Sequence, residues 1–497
     1  MLLLGIDLGT SSIKVSIVDA DTQQMVVSVQ YPETETPIIA ERTGWAEQSP
    51  DTWWEHVQRA ILKANAAKKY NPRDIGAIGI AYQMHGLVIV DKQQNVLRNS
   101  IIWCDSRAVA IGDKAFQEIG ADKSLSHLLN SPGNFTASKL AWVKENEPEI
   151  YKQVDKAMLP GDFIAMKLTG EATTSVSALS EGIFWDFKNQ ELSADVFNYF
   201  GFDKKLIPSI QPVFSSHGEV SKAVAEKLSL KQGTPVTYKA GDQPNNALSL
   251  NVLEPGEVAA TAGTSGVIYG VSDKLTYDPQ SRVNTFAHVN YESAKIRTGV
   301  LLCINGTGIL NRWVRDNFAP TSGYDAINAQ AQKIKIGCDG LRVLPFGNGA
   351  ERMLNNKLTG AHFLNLDLNL HTSQHIFRAA QEGIAYSFRY GLDIMRENGM
   401  NPELVRAGKA NMFFSPLFRE VFTNVTGCTV ELYNTDGSIG AARGAGLGVG
   451  YYKNYKEAFS AMEKLSVLDP EKEKKEPYEE VYQQWKNNLN KMIFEPH

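Results

Sequence analysis

Two short runs of small and hydroxylated residues carry the clearest chemical signal in the sequence: Gly9-Thr10-Ser11-Ser12 and, half a chain further on, Gly263-Thr264-Ser265-Gly266. A Gly-Thr-Ser turn offers consecutive backbone N–H groups and hydroxyls, with no bulk to keep phosphate oxygens away. Either run alone would serve equally as a plain hairpin turn. Two copies facing each other would grip a polyphosphate. No G-x-x-x-x-G-K-[ST] occurs, which excludes a P-loop, and the glycine-rich run Gly440 to Gly448 lacks G-x-G-x-x-G. That run reads as a small-residue packing face, as a neighbour of the nucleotide, or as both.

Three side chains could act on what the turns hold. Asp7 ends an apolar strand just before the first turn, where a carboxylate can hold Mg2+ through water against phosphates; a strand-end Asp is also a common turn former. Asp242 lies in the polar cluster Ala240-Gly241-Asp242-Gln243-Pro244-Asn245-Asn246. Phosphoryl transfer to an alcohol needs a base for the hydroxyl proton, and a carboxylate in a cleft fits, although Gly-Asp-x-Pro is also good turn chemistry. His85 follows an apolar strand, and neutral imidazole there serves either as a structural hydrogen-bonding group or as a ligand contact.

These groups need elements to position them. Leu2 to Asp7 and Ile13 to Val18 read as a hairpin closed by the first turn, and Glu257 to Thr261 and Val267 to Val271 repeat it around the second. A device repeated at half the chain length indicates two related domains, divided near residues 243 to 256 and placed here after Asn246, giving domains 1–246 and 247–497. Between the hairpins a helix over Thr52 to Ala67 precedes apolar strands at Ile75 to Ala81 and Gly86 to Asp91, which is α/β organisation. Ser373 is expected to cap a long helix that stops at Asn398-Gly399. Near the end, a charge run from Glu471 to Glu476 reads as a solvated linker, with Pro477 opening a docking helix that carries Tyr478, Tyr482, Trp485 and Leu489 on one face.

Size and composition agree with a two-domain enzyme with a cleft: 497 residues, 43% hydrophobic, 50 Lys+Arg against 55 Asp+Glu. The balanced charge argues against a nucleic-acid binder. The four cysteines, Cys104, Cys303, Cys338 and Cys428, are scattered without metal-site spacing and read as reduced thiols. A short apolar start with no basic region and no long apolar stretch points to a cytoplasmic protein with no membrane association.

The segments Gly5-Ile6-Asp7-Leu8-Gly9-Thr10-Ser11, Gln83-Met84-His85-Gly86, Trp103-Cys104-Asp105-Ser106-Arg107, Phe135 to Trp142, Gly241-Asp242 and Gly263 to Gly266, in that order, resemble the FGGY carbohydrate kinases, and within them the xylulokinases. The resemblance implies two ribonuclease-H-like domains of the actin, hexokinase and Hsp70 type flanking a catalytic cleft, with ATP and Mg2+ between them. It implies phosphorylation of a small ketose, D-xylulose, to D-xylulose 5-phosphate. Carried over residue by residue, Asp242 is the catalytic base and Asp7 places Mg2+. Gln83, Met84, His85 and Gly86 contact the ketose, with Trp103, Asp105, Arg107 and Gln243 beside it. Gly9, Thr10, Ser11, Ser12, Gly263, Thr264, Ser265, Gly308, Gly408 and Asn411 border the nucleotide. A homodimer is a family-level expectation.

The sequence departs from the family pattern twice. Gln243-Pro244 follows the catalytic Asp where Asn is usual, and Ala407-Gly408-Lys409-Ala410-Asn411 stands where the adenine side usually reads Gly-Gly-Gly-Ala. The rival readings are a kinase of the same family for L-ribulose, L-fuculose or gluconate, and a non-catalytic sugar and nucleotide sensor. Glycerol kinases are disfavoured because their substrate segment, Asn-Gln-Arg-Glu-Thr-like, is absent.

Overall fold

The computed structural model describes residues 1–494. Strands β1 (Leu2–Leu8), β2 (Ile13–Asp19), β3 (Met25–Tyr31), β4 (Ile75–Tyr82) and β5 (Val236–Gly241) form one sheet in the order β5-β4-β1-β2-β3. The first three run antiparallel, whereas β4 and β5 run parallel to β1. The second sheet holds β6 (Glu257–Ala262), β7 (Gly266–Ser272), β8 (Asn284–Ala287), β9 (Thr298–Ile304), β10 (Leu404–Gly408), β11 (Thr429–Tyr433) and β12 (Lys464–Leu468). Within it, β9-β7-β6-β10-β11 repeats the order and strand sense of the first sheet, with β8 and β12 added at the edges. The repeated turns are therefore the β1–β2 and β6–β7 corners of a duplicated α/β lobe.

Helices position what the sheets leave open: α1 (Pro50–Ala66), α2 (Thr136–Asn146), α3 (Val176–Glu181), α4 (Asp242–Ser249), α5 (Gly308–Phe318), α6 (Ser373–Glu397), α7 (Gly437–Gly448) and α8 (Lys472–Phe494). In α1, the Ser49 side chain accepts from Thr52 N and Pro50 opens the first turn, where its missing N–H leaves no bond unmade. The expected cap of α6 shifts by one residue: Thr372 and His375 form a reciprocal capping box, and Ser373 is the first helical residue. Asn398 and Gly399 (φ +84°) end the helix as expected. The expected linker before Pro477 is instead the first turn of α8, because Lys474 pairs with Glu471 (2.9 Å) and Glu420 (3.1 Å), which holds the charged run helical. Tyr478, Tyr482, Trp485 and Leu489 are buried, as the docking face requires.

The division expected after Asn246 falls inside α4, which links the last strand of the first sheet to the first strand of the second. The glycine-rich run is α7. Although it comes from the second half of the chain, it packs on β1, β4 and β5. A Cβ at Gly5 or Gly79 would collide with the α7 carbonyls of Ser438 and Ala441, and one at Gly444 would lie 2.5 Å from the Tyr238 ring. Backbone touches backbone here, which only glycine permits. No helix of the described residues is long and apolar enough to cross a membrane.

Candidate active site

The carboxyl ends of β1, β4 and β5 bring Asp7, the 83–86 strap and Asp242 together, and the strap is shaped by its backbone. His85 sits at φ +61°, an uncommon conformation for a bulky residue, and its carbonyl accepts from Lys139 Nζ (2.8 Å) and Thr136 Oγ1 (3.3 Å). Lys139 also donates to Ile102 O (3.0 Å), and burial brings its ammonium down to about 7. The Phe135-to-Trp142 segment thus contributes a buried cation that holds the strap. Gly86 lets the strap approach Pro160, where a Cβ would lie 2.8 Å from Cγ.

The His85 ring is fixed as firmly. Its Nδ1 lies 3.0 Å from the Glu181 carbonyl, which can only accept, so Nδ1 carries the proton and Nε2 is an acceptor. Burial, with the Lys139 charge adding, depresses the imidazole to about 3. Phe135 (4.8 Å between ring centres) and Phe286 from the second lobe (5.3 Å) pack against it.

Asp242 opens α4 directly after β5, and Met84 packs over the adjoining Gly241. Burial, and then the negative charge of Asp7, push the Asp242 carboxyl up to about 7, against hydrogen bonds from the backbone and side chain of Gln243. Gln243 Oε1 is buried without a partner and is free to accept from a ligand. Asp7 is raised to about 6 by burial and by Asp436 at the cap of α7, with Lys14 opposing. Lys14 bonds Asp436 directly, and a Cβ at Gly437 would collide with Asp7 Oδ2. Asp7, Asp242 and Asp436 thus concentrate negative charge that a divalent cation would relieve. Hard carboxylate oxygens suit Mg2+, which keeps several of its waters.

Gln83 and Trp103 join the 83–86 strap to the first turn. Thr10 Oγ1 donates to Gln83 Oε1 (3.3 Å) and accepts from Trp103 Nε1 (2.9 Å). Gln83 Nε2 donates to Gln48 Oε1 (3.2 Å), and Gln48 Nε2 returns to Thr10 O (2.8 Å). Gly9 N donates to Ser12 O (3.1 Å) to close the turn, and Ser11 O is held by Thr36 N (2.7 Å). Asp105 is not placed for a sugar: it is buried, accepts from Ala46 N (2.6 Å), and forks onto Arg107 Nε and Nη2 (2.7–3.0 Å), so this pair braces the loop carrying Trp103.

Across the cleft, the Gly263, Thr264 and Ser265 turn is seated on the head of α5. Gly308 N donates to Gly263 O (2.9 Å), and Thr307 Oγ1 reaches the carbonyls of Gly263 (3.0 Å) and Thr264 (3.1 Å). Beside it opens a cavity of about 610 Å³ bounded by Gly263, Thr264, Gly308 and Asn411, together with Arg312, Tyr324 and Phe414. Its size and the exposed Tyr324 and Phe414 rings suit a nucleoside. Gly408 ends β10 outside that wall.

A family model for the N-terminal domain of the FGGY carbohydrate kinases matches residues 2–249, and its C-terminal counterpart matches residues 258–447. The chain belongs to the FGGY family of carbohydrate kinases. Among curated FGGY relatives, a xylulose kinase of Bacillus subtilis (strain 168) is 28% identical over 499 residues, covering 98% of this chain and 96% of the relative. The crystal structure of xylulose kinase from Rhodospirillum rubrum superposes with a TM-score of 0.87 at 24% identity, over 99% of both chains. That of gluconate kinase from Lactobacillus acidophilus gives 0.89 at 21%, over 99% of this chain and 98% of that one. The fold is the ribonuclease-H-like duplication of this family, and it is shared by kinases named for different sugars.

Two residues beside these groups stand in no local motif: Glu181 and Asp436. Glu181 is 2% exposed; its Oε1 accepts from Tyr82 OH (2.6 Å), while Oε2 is unpartnered and 3.8 Å from His85 Nδ1. Burial drives the Glu181 carboxyl well above the ordinary range, the Tyr82 bond opposing and the Asp242 charge adding. Only the fold brings a helix-end glutamate under the strap, so no spacing in the sequence could have announced it.

Proposed function

We propose that this FGGY kinase transfers the γ-phosphoryl group of ATP to the O5 hydroxyl of D-xylulose, giving D-xylulose 5-phosphate and ADP. The observation that carries the reading is Asp242, a carboxylate raised to about 7 at the meeting point of the sugar strap and the acidic end of β1. A base near the working pH is most effective at taking a proton during transfer. In this reading His85 Nε2 and Gln243 Oε1 accept sugar hydroxyls, and Met84 packs behind them. The first lobe, residues 1–246, holds the sugar, and residues 247–497 hold the nucleotide. Bound Mg2+, with Asp7 and Asp436 as its anchors through water, would supply charge neutralisation for the phosphates. The two turns offer backbone N–H groups to the same oxygens.

The xylulose kinase names of the sequence relatives support the ketose, while the gluconate kinase neighbour keeps other sugars in the comparison. ADP release with MgATP across D-xylulose, D-ribulose, L-ribulose, L-fuculose, D-gluconate and glycerol tests the assignment. A lead for D-xylulose that disappears in Asp242→Ala supports both substrate and base. A lead for another sugar replaces the substrate and keeps the reaction, and an inactive panel favours a sensor.

A further inference from the structure

The second lobe contributes a cation that the assignments above leave unused. Arg352 opens a short 3-10 turn (Arg352–Leu354) next to the end of β9. Its neighbour Glu351 is fully buried, and the Glu351 carboxylate accepts from Asn305 N (3.0 Å) and Gly306 N (3.1 Å). Those amides lead into Thr307, whose hydroxyl grips the carbonyls of the second Gly-Thr-Ser turn. The backbone carrying Arg352 is therefore locked to a phosphate turn.

The Arg352 side chain itself is half-buried, and among the described residues it makes no hydrogen bond and no ion pair. In this lobe Arg378 pairs with Glu382 (2.7 Å), and Arg406 with Glu257 (2.9 Å) and Glu431 (3.1 Å), whereas Arg419 Nε, like the Arg352 side chain, has no partner among the described residues. A guanidinium withdrawn from water without a carboxylate is costly unless an anion arrives to meet it. Its charge bears on a group of each lobe: it lowers His85 in the first and opposes the rise of the Cys303 thiol of β9, which Asp242 adds to.

We propose that Arg352 is a catalytic residue, which brings its guanidinium from the second lobe to the peripheral oxygens of the phosphoryl group in transit. This rests on the phosphoryl-transfer reading above. As the sugar oxygen bonds to phosphorus, its proton passes to Asp242; the bond to the bridging β–γ oxygen breaks, and its electron pair leaves on the nucleoside diphosphate. Five donors in a planar fork match oxygens that gain charge in that transition state. Among the described residues no carboxylate pairs with Arg352, so truncation strands no partner there.

The test compares native enzyme with Arg352→Ala and Arg352→Lys, using whichever sugar of the panel the native enzyme turns over, so that a wrong sugar and a wrong arginine give different results. Arg352→Ala is expected to lower kcat by about 100-fold or more, the scale for loss of a transition-state donor or arginine. Equilibrium Kd values for sugar and nucleotide and the melting temperature should stay near native. A native-like kcat, or a loss confined to the Kd for sugar, overturns the proposal. If the alanine variant melts early, the lysine variant decides: it keeps the charge without the fork, so kcat between those of the alanine and native enzymes supports the role, and native kcat overturns it.

Discussion

The two Gly-Thr-Ser turns occupy the same corner of the same duplicated fold, yet they are secured by different means. The first is held by side chains: Thr10 is hydrogen-bonded to Gln83 and Trp103, and through Gln83 and Gln48 it is continuous with the loop that would meet the sugar. The second is held through carbonyls at the head of a helix, by Gly308 N and Thr307 Oγ1, and opens onto the nucleoside-sized cavity. Duplication supplied the same turn twice. In the proposed reading, the neighbours connect one copy to the acceptor and the other to the donor.

The largest expected effect falls on the group between the copies. Asp242→Asn keeps shape and removes the base, so kcat should drop by about 10² to 10⁴ while sugar binding persists, measured by steady-state ADP release beside equilibrium binding. Retained turnover would leave the turns with no chemistry to serve. Next come the attachments themselves. Thr10→Val should raise the KM for sugar and lower kcat, whereas Thr307→Val should raise the KM for nucleotide alone, each by about tenfold, the scale of a buried polar group left unpaired. Identical profiles for the two variants would erase the distinction. Phe414→Ala should raise the nucleotide KM several-fold, with an unchanged sugar KM, if the ring stacks on the base.

The smallest effect is on stability. Asp7 and Asp242 have folded values raised to about 6 and about 7, against about 3.9 in an unfolded chain, so both favour the protonated native state. Their contribution is fully present below about pH 4 and is lost as pH rises through 6 and 7. Without ligands, the melting temperature should therefore decline between pH 5 and pH 8. Mg2+ should recover part of the decline, and Asp7→Asn should flatten it; a melting profile indifferent to metal would remove Asp7 from the metal site.

Sequence patterns reveal what is local. The hairpins, the α/β alternation, Asp7, Asp242 and the strap all lie in contiguous segments where period and turn chemistry agree, and the structure forms these elements there. The pattern of Asp105-Ser106-Arg107 was legible as a site neighbour but not as a brace, because an ion pair two residues apart looks the same on paper whether it faces a ligand or a loop. The glycine-rich run allowed two readings, and α7 satisfies the packing one through Gly440 and Gly444, while its cap Asp436 reaches Asp7's surroundings. Glu181 and Arg352 lie far in sequence from His85, and Asp436 far from Asp7, and each meets its partner only through long-range folding of the chain. The charged start of α8 reads as a linker in the sequence because its partner Glu420 is equally remote.

The placement of α7 has a consequence for how this chain could be divided or rearranged. The first sheet is covered by a helix encoded near the other end of the gene, so a fragment ending between the lobes would present β1, β4 and β5 with a bare glycine-lined face, and a circular permutant would have to keep α7 tethered within reach. The architecture is a duplication in its strand order, but in its present form the first half is completed by the second.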